Sequence, residues 1–167
     1  MRRARTTLES VLADAELVAH SKAWPFTVGQ NLLFHEDPEF GFAINATVRP
    51  AGSRGTVHDH AHSWTLYGLL DGSERLERYQ RLDDGTRAGY AELRLVSDTV
   101  LTPGMIDFVA PREIHAERGG AGRSVAVIIR SERLVGRTLQ LGFDPEARTV
   151  REMSGPTQVP YKLLDGD

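Results

Sequence analysis

Three of the six histidines in the chain fall at alternate positions, His58, His60 and His62, in the stretch TVHDHAHSWTLYGLLDG. Alternate side chains of a strand share a face, so a regular strand here would present these imidazoles together on one side. Two imidazoles on neighbouring same-side positions can chelate one metal ion, each through a ring nitrogen. Neutral imidazole suits iron(II), zinc, copper or nickel. Solvent-exposed histidines clustered without a role would give the same spacing. The setting points to burial, because the stretch follows the turn sequence AGSRG and runs directly into the apolar WTLYGLL. A second stretch, LTPGMIDFVAPREIHAERGG, carries His115 behind two turn formers, Pro103-Gly104 and Pro111. In that stretch a strand is expected after Gly104, with His115 closing the run. His20 and His35 lie in neither stretch and are read as surface histidines.

Side chains so far apart in sequence need a rigid frame to meet. In TTLESVLADAELVAH, Leu8, Val11, Leu12, Ala15 and Val18 recur at helical spacing, and Thr6 or Thr7 can cap the helix with Glu9 close behind. One amphipathic helix is expected, ended by AWPF and its Pro25. From about residue 30 the period changes. The runs FAINATVRP, SWTLYGLLDG, RLERYQRLDDG, AELRLVSDT, MIDFVAP, SVAVIIRS and TLQLGFDP are short, rich in β-formers and closed by Gly, Pro, Asp or Ser and Thr. Many short strands at this spacing indicate an all-β sandwich or barrel. The division expected is an N-terminal helical segment over residues 1–27 and a barrel over residues 28–167.

Composition narrows the classes of function. A chain of 167 residues with 40% hydrophobic and 26% charged residues is of ordinary globular make-up and fits one domain. A net charge of −3, with arginines scattered among Asp and Glu, gives no electrostatic case for nucleic acid or a membrane surface as partner. No apolar run approaches the roughly 18 residues of a membrane span. Glu9, Asp14 and Glu16 interrupt the segment after the basic start, unlike a secretory signal core, so a cytoplasmic location is expected. The absence of cysteine excludes disulfides, thiolate metal sites and a cysteine nucleophile.

The two histidine stretches resemble the paired motifs of the cupins. Gly55, His58, His60 and Gly72 match the first, and Pro103, Gly104, Pro111 and His115 match the second. The resemblance implies a double-stranded β-helix, a jelly-roll barrel that brings the two stretches together. Most cupins carry a glutamate shortly after the second histidine, where this chain has Ser63, Trp64 and Thr65. That departure, with the HDH and SW pairs, resembles the thiol dioxygenase branch, the bacterial cysteine and 3-mercaptopropionate dioxygenases, over about residues 28–150. The resemblance implies one non-haem Fe(II) ion on His58, His60 and His115, with zinc or nickel able to occupy the same ligands. It also implies a small thiol carboxylate and O2 as partners, and a sulfinate product. Three neutral ligands leave the charge of the ion undiminished, which favours an anionic substrate.

Other roles implied by the resemblance are less uniform. His62, two beyond a ligand, is either a fourth ligand or part of the pocket wall, and the pocket wall is the placement expected. Trp64 and Ile128 are assigned to the substrate pocket, Ile128 making it more apolar than in the family. Gln30 stands where cysteine-oxidising members place a carboxylate-binding arginine, as in the 3-mercaptopropionate type, so cysteine is expected to be oxidised poorly. The carboxylate grip is then expected from a late arginine, Arg130 or Arg137. The Ser-His-Tyr relay of the family is missing from SVAVIIRSE, which leaves Tyr67 or Tyr90 as the candidate hydroxyl. Two alternatives stand beside this assignment: a metal cupin of other chemistry, such as another oxygenative cleavage, an isomerase or a lyase, and a non-catalytic cupin that binds a small molecule. A homodimer is consistent with the edge strands of such barrels.

Overall fold

A computed structural model of the chain describes residues 1–133, 136 and 139–163. Two helices, α1 (Arg2–Leu12) and α2 (Ala15–Ser21), precede the strands β1 (Gln30–Glu36), β2 (Ala43–Arg49), β3 (Val57–His58), β4 (Thr65–Asp71), β5 (Glu74–Arg81) and β6 (Leu93–Leu101). They continue as β7 (Ile106–Val109), β8 (Ile114–Gly119), β9 (Ser124–Arg130), β10 (Gln140–Asp144), β11 (Thr149–Met153) and β12 (Thr157–Pro160). The strands form two six-stranded sheets, ordered β12-β1-β2-β9-β4-β7 and β11-β10-β3-β8-β5-β6. The architecture is the double-stranded β-helix expected from the two histidine stretches. None of the helices described is long and apolar enough to cross a membrane.

The central strands are buried on both faces, and the two faces differ in chemistry. On β9, Val125, Val127 and Ile129 join Leu8, Leu12 and Trp24 in an outer apolar layer, while Ala126 and Ile128 turn inward. On β4, Leu66 and Leu70 point outward into the same layer, and Tyr67 and Leu69 point inward. The period of two thus divides each strand between a greasy seat for the helices and a mixed barrel interior. Helix α1 sits directly on the backbone of β4, since a Cβ added at Gly68 would stand 2.8 Å from a Leu12 methyl. On the other sheet, Ile114 and Ala116 of β8 pack outward with Val57 and Phe143, which leaves His115 and Glu117 inside.

The helical segment differs from expectation in being broken. Asp14 accepts hydrogen bonds from the backbone N–H groups of Glu16 (2.9 Å) and Leu17 (3.0 Å), so it caps a second helix instead of continuing the first. The first helix starts at Arg2, before Thr6 and Thr7. In the barrel, β1, β8, β11 and β12 were not among the β-rich runs singled out, and β3, expected to run on through His62, ends at His58. On β8 the inward residues, His115 and Glu117, are polar, which weakens the strand signal in IHAERG. His115 therefore lies near the start of a strand, not at the end of a run.

Gly72 closes the β4–β5 turn at φ 82°, and a Cβ there would lie 2.4 Å from the Arg123 carbonyl oxygen. Gly104 has a similar φ of 87° but open space around it. Gly104→Ala should therefore cost only the backbone strain, roughly 1 kcal/mol, and Gly72→Ala about 3 kcal/mol or more. Denaturant unfolding of the two variants measures the difference.

Candidate metal centre

Strand β3 is only two residues long, and its one partner on β8 sets His58 directly opposite His115. His60 follows beyond the strand end and swings back to the same point. The ring centroids are 4.9 Å (His58 to His60), 4.5 Å (His58 to His115) and 4.7 Å (His60 to His115) apart. One nitrogen from each ring lies within 4.8 Å of the others, a group able to hold a metal ion.

Each ring is oriented through its other nitrogen. Nδ1 of His58 is 2.9 Å from the Thr56 carbonyl, Nδ1 of His115 is 3.1 Å from that of Glu113, and Nδ1 of His60 is 3.0 Å from Thr65 Oγ1. Such contacts fix the tautomer that leaves Nε2 as the donor, as around metal-bound histidines. Burial and the neighbouring His115 lower the pKa of His58 to about 4. Burial and the Arg130 guanidinium hold His60 well below the ordinary imidazole range. Both rings are neutral and ligand-competent near neutral pH. Nε2 of His115 is buried without a hydrogen-bond partner. An orphaned ring nitrogen is costly in a folded interior, and a cation bonded at about 2.0–2.2 Å would satisfy all three rings at once. The residues therefore fit a metal.

A carboxylate stands beside the histidines, contrary to the expectation of a purely imidazole site. Glu117 is two residues beyond His115 on the same face of β8, with Oε1 3.5 Å from His115 Nε2. Its other oxygen accepts from Arg49 Nη2 at 3.1 Å. Burial alone would raise its pKa, but the Arg49 guanidinium and the His115 ring outweigh burial and hold the carboxyl well below its usual range. Behind it lies a buried cluster. The Tyr67 hydroxyl donates to Glu74 Oε2 at 2.6 Å, Ser124 Oγ donates to Glu74 Oε1 at 2.7 Å, and Arg49 Nε lies 3.4 Å from Glu74 Oε2. Burial and the Glu74 charge raise the Tyr67 pKa well above the ordinary phenol range.

Arg130 faces the same interior from β9 and is 6% exposed. Its Nε donates to Thr65 Oγ1 at 3.2 Å, and Nη2 lies 3.4 Å from His60 Nε2. Among the described residues no carboxylate lies within ion-pair distance of Arg130, and burial lowers its pKa to about 10.

His58, His60, Glu117, Ile128 and Arg130 line one cavity of about 500 Å³, with Tyr67 and Arg49 in its wall and Gln30 at its rim. Other expected residues lie elsewhere. Strand β3 ends at His58, and in the turn that follows His60, Ala61 takes a left-handed φ of 50° and His62 is turned out of the cavity. His62 is 63% exposed and pairs with Glu132 at 2.5 Å, so its placement in the pocket wall is corrected. Trp64 packs at the margin of the outer apolar layer, on the opposite face of β4 from the cavity, and its assignment to the pocket is likewise corrected. Tyr90 lies under Arg87, away from the cavity, and Arg137 falls outside the described residues. Asp59 ties β3 to β10, its carboxylate accepting from Leu141 N at 2.9 Å. Sequence reading missed Glu117, Arg49 and Glu74. The alternation that singled out His58 and His60 also pairs His115 with Glu117, in the triplet His-Ala-Glu.

No family model matches the chain, and no curated protein matches it. Solved structures do. An uncharacterized conserved protein with a double-stranded beta-helix domain from Klebsiella pneumoniae is 14% identical over 72% of this chain and 85% of that one, with a TM-score of 0.51. The Cnp3 cupin domain of Schizosaccharomyces pombe is 10% identical over 62% of this chain and 60% of that one, with a TM-score of 0.48. The DMSP lyase DddQ from Ruegeria pomeroyi is 19% identical over 61% of this chain and 43% of that one, with a TM-score of 0.45. The chain thus spans less than two thirds of the length of the last two. The likeness to the first is one of fold, and the fold is the double-stranded β-helix. Its interior here carries a three-histidine group able to hold a metal ion.

His58→Ala or His115→Ala should abolish stoichiometric metal binding, because two neutral nitrogens hold a divalent ion poorly in water. His62→Ala should leave it intact. Elemental analysis of the purified variants after metal loading measures this.

Proposed function

We propose that the protein is a mononuclear iron(II) oxygenase of thiol dioxygenase type, acting on a small thiol carboxylate. The observation that carries this is Arg130, a buried guanidinium with no carboxylate within ion-pair distance among the described residues, set against a ring of the three-histidine group. A guanidinium beside a divalent ion calls for a substrate with two anionic groups, and a thiolate and a carboxylate supply them.

His58, His60 and His115 would hold the ion, which when bound supplies the redox chemistry that joins O2 to sulfur. Arg130 binds the carboxylate. Thr65 fixes its Nε and Nη2 stands 3.4 Å from His60 Nε2, which aims the terminal edge of the guanidinium at the histidine group for an oriented grip. Ile128, 3% exposed and in the cavity wall, excludes water from the reacting end. Gln30 at the rim offers an uncharged amide where cysteine-oxidising relatives place an arginine. The Tyr67 hydroxyl donates a hydrogen bond to Glu74 and accepts one from Arg49 Nε, a positioning part in place of the hydroxyl donor expected of it.

A second reading is favoured by Glu117. A carboxylate beside the histidines suits a metal cupin whose chemistry is proton transfer, a lyase or an isomerase, as well as one that uses O2.

The deciding experiment is anaerobic iron loading followed by oxygen uptake with 3-mercaptopropionate, cysteine and cysteamine. Iron-dependent uptake with a thiol carboxylate, a sulfinate product and no turnover in the zinc-loaded protein are expected, zinc being redox-inert. Arg130→Met should raise KM at least about tenfold through loss of a charged two-point contact. A protein that holds iron one-to-one and consumes no oxygen with any thiol would transfer the assignment to the second reading.

A further inference from the structure

Glu117 and Arg130 line the same cavity, one beside His115 and the other beside His60. They differ in how much of their hydrogen-bonding capacity is already used. Glu117 Oε2 is taken by Arg49, while Oε1 meets only the imidazole edge of His115 at 3.5 Å. Arg130 spends Nε on Thr65, its Nη2 lies 3.4 Å from His60 Nε2, and among the described residues no carboxylate lies within ion-pair distance of it. The cavity therefore presents a free carboxylate oxygen at one side of the histidine group and a free guanidinium edge at the other. Arg49 cannot cancel Glu117 outright, because Glu74 draws on the same guanidinium.

We propose that Glu117 is a specificity-determining residue of this site: it receives an amino group of a small carboxylate ligand whose acid end is held by Arg130. The ligand class is an amine-bearing small carboxylate, with the acid toward β9 and the ammonium toward β8. Ionised partners at both ends make two charge-assisted contacts in a water-poor cavity, where such contacts are strongest. A plain carboxylate would leave Glu117 facing an apolar group and its lone pairs unmet. The pairing runs against the expectation drawn from Gln30: cysteine is an amine-bearing thiol carboxylate, and Glu117 makes it a better ligand here than 3-mercaptopropionate. The proposal deepens the thiol carboxylate reading and rests on it for the orientation of the ligand about the metal position. The two charged groups are features of the chain itself.

The test is calorimetric titration of the zinc-loaded and metal-free protein with β-alanine and propionate, which differ by one ammonium and cannot be turned over as thiols. Wild type should bind β-alanine about tenfold tighter than propionate, the scale of one charge-assisted contact. Glu117→Gln should erase that preference with little change for propionate, and Arg130→Met should weaken both ligands. Glu117→Asp keeps the charge but withdraws it by one methylene. It should reduce the preference without erasing it, and it carries the test if the Gln variant does not fold. Equal affinity of wild type for the two ligands, or a preference that survives Glu117→Gln, would overturn the proposal. Failure of the metal reading shows differently: the protein would take up no zinc while the β-alanine preference stood.

Discussion

The pairing of β3 with β8 at a single residue position is the constraint on which the site depends. It puts His58 opposite His115, while the two histidine stretches are also joined by the β4–β7 ladder and by Arg112 N donating to the Ala61 carbonyl at 2.7 Å. So short a strand cannot hold its register by its own ladder, because register is normally specified over a run of buried side chains. Here it is pinned from outside. Strand β10 pairs with β3 on the other edge, Asp59 accepts from Leu141 N, and the Gln140 side chain donates to the Asp59 carbonyl at 2.9 Å. A slip of one residue would turn His58 into the outer apolar layer. The hydrogen bonds of Asp59 and Gln140, remote from the metal position, therefore set whether the three rings converge.

Much of this was legible in the chain. The short β-rich runs indicated a sandwich or barrel, and the resemblance carried by the two histidine stretches implied that His58, His60 and His115 converge. The failures have a common physical origin. Strands β1 and β8 fell outside the β-rich runs because polar side chains face the cavity, Gln30 and Asn31 on β1 and Glu117 beside His115 on β8. Strand β9, whose outward Val125, Val127 and Ile129 face the helices, was read correctly because its apolar content does not depend on the site. His62 misled for the opposite reason. Periodicity extends a strand for as long as the spacing persists, and nothing in the local sequence marks its end at His58 or the left-handed turn at Ala61.

Charge inside the barrel is balanced group by group, not by a local partner for each. Glu117 answers Arg49, Arg49 answers Glu74, and Glu74 is further held by Tyr67 and Ser124. Buried ion pairs contribute little net stability over apolar packing, but removing one member leaves an unpaired charge at high cost. Such a cluster contributes orientation: the Glu117 carboxylate cannot rotate away from the histidines without stranding Arg49. Arg130 stands outside this network of hydrogen bonds, its side chain meeting Thr65 and His60 instead.

The rim of the cavity is made of different material from its floor. Residues 26–31, just before and into β1, and residues 153–157, leading into β12, meet there because β12 pairs in parallel with β1. These segments carry none of the charged cluster, and neither belongs to the central strands. The barrel therefore separates the part that sets the chemistry from the part that sets which molecules enter. Substitutions or insertions in the two rim segments can re-cut the entrance without disturbing the buried charges. A lineage of such proteins is free to change its diet while keeping its furnace.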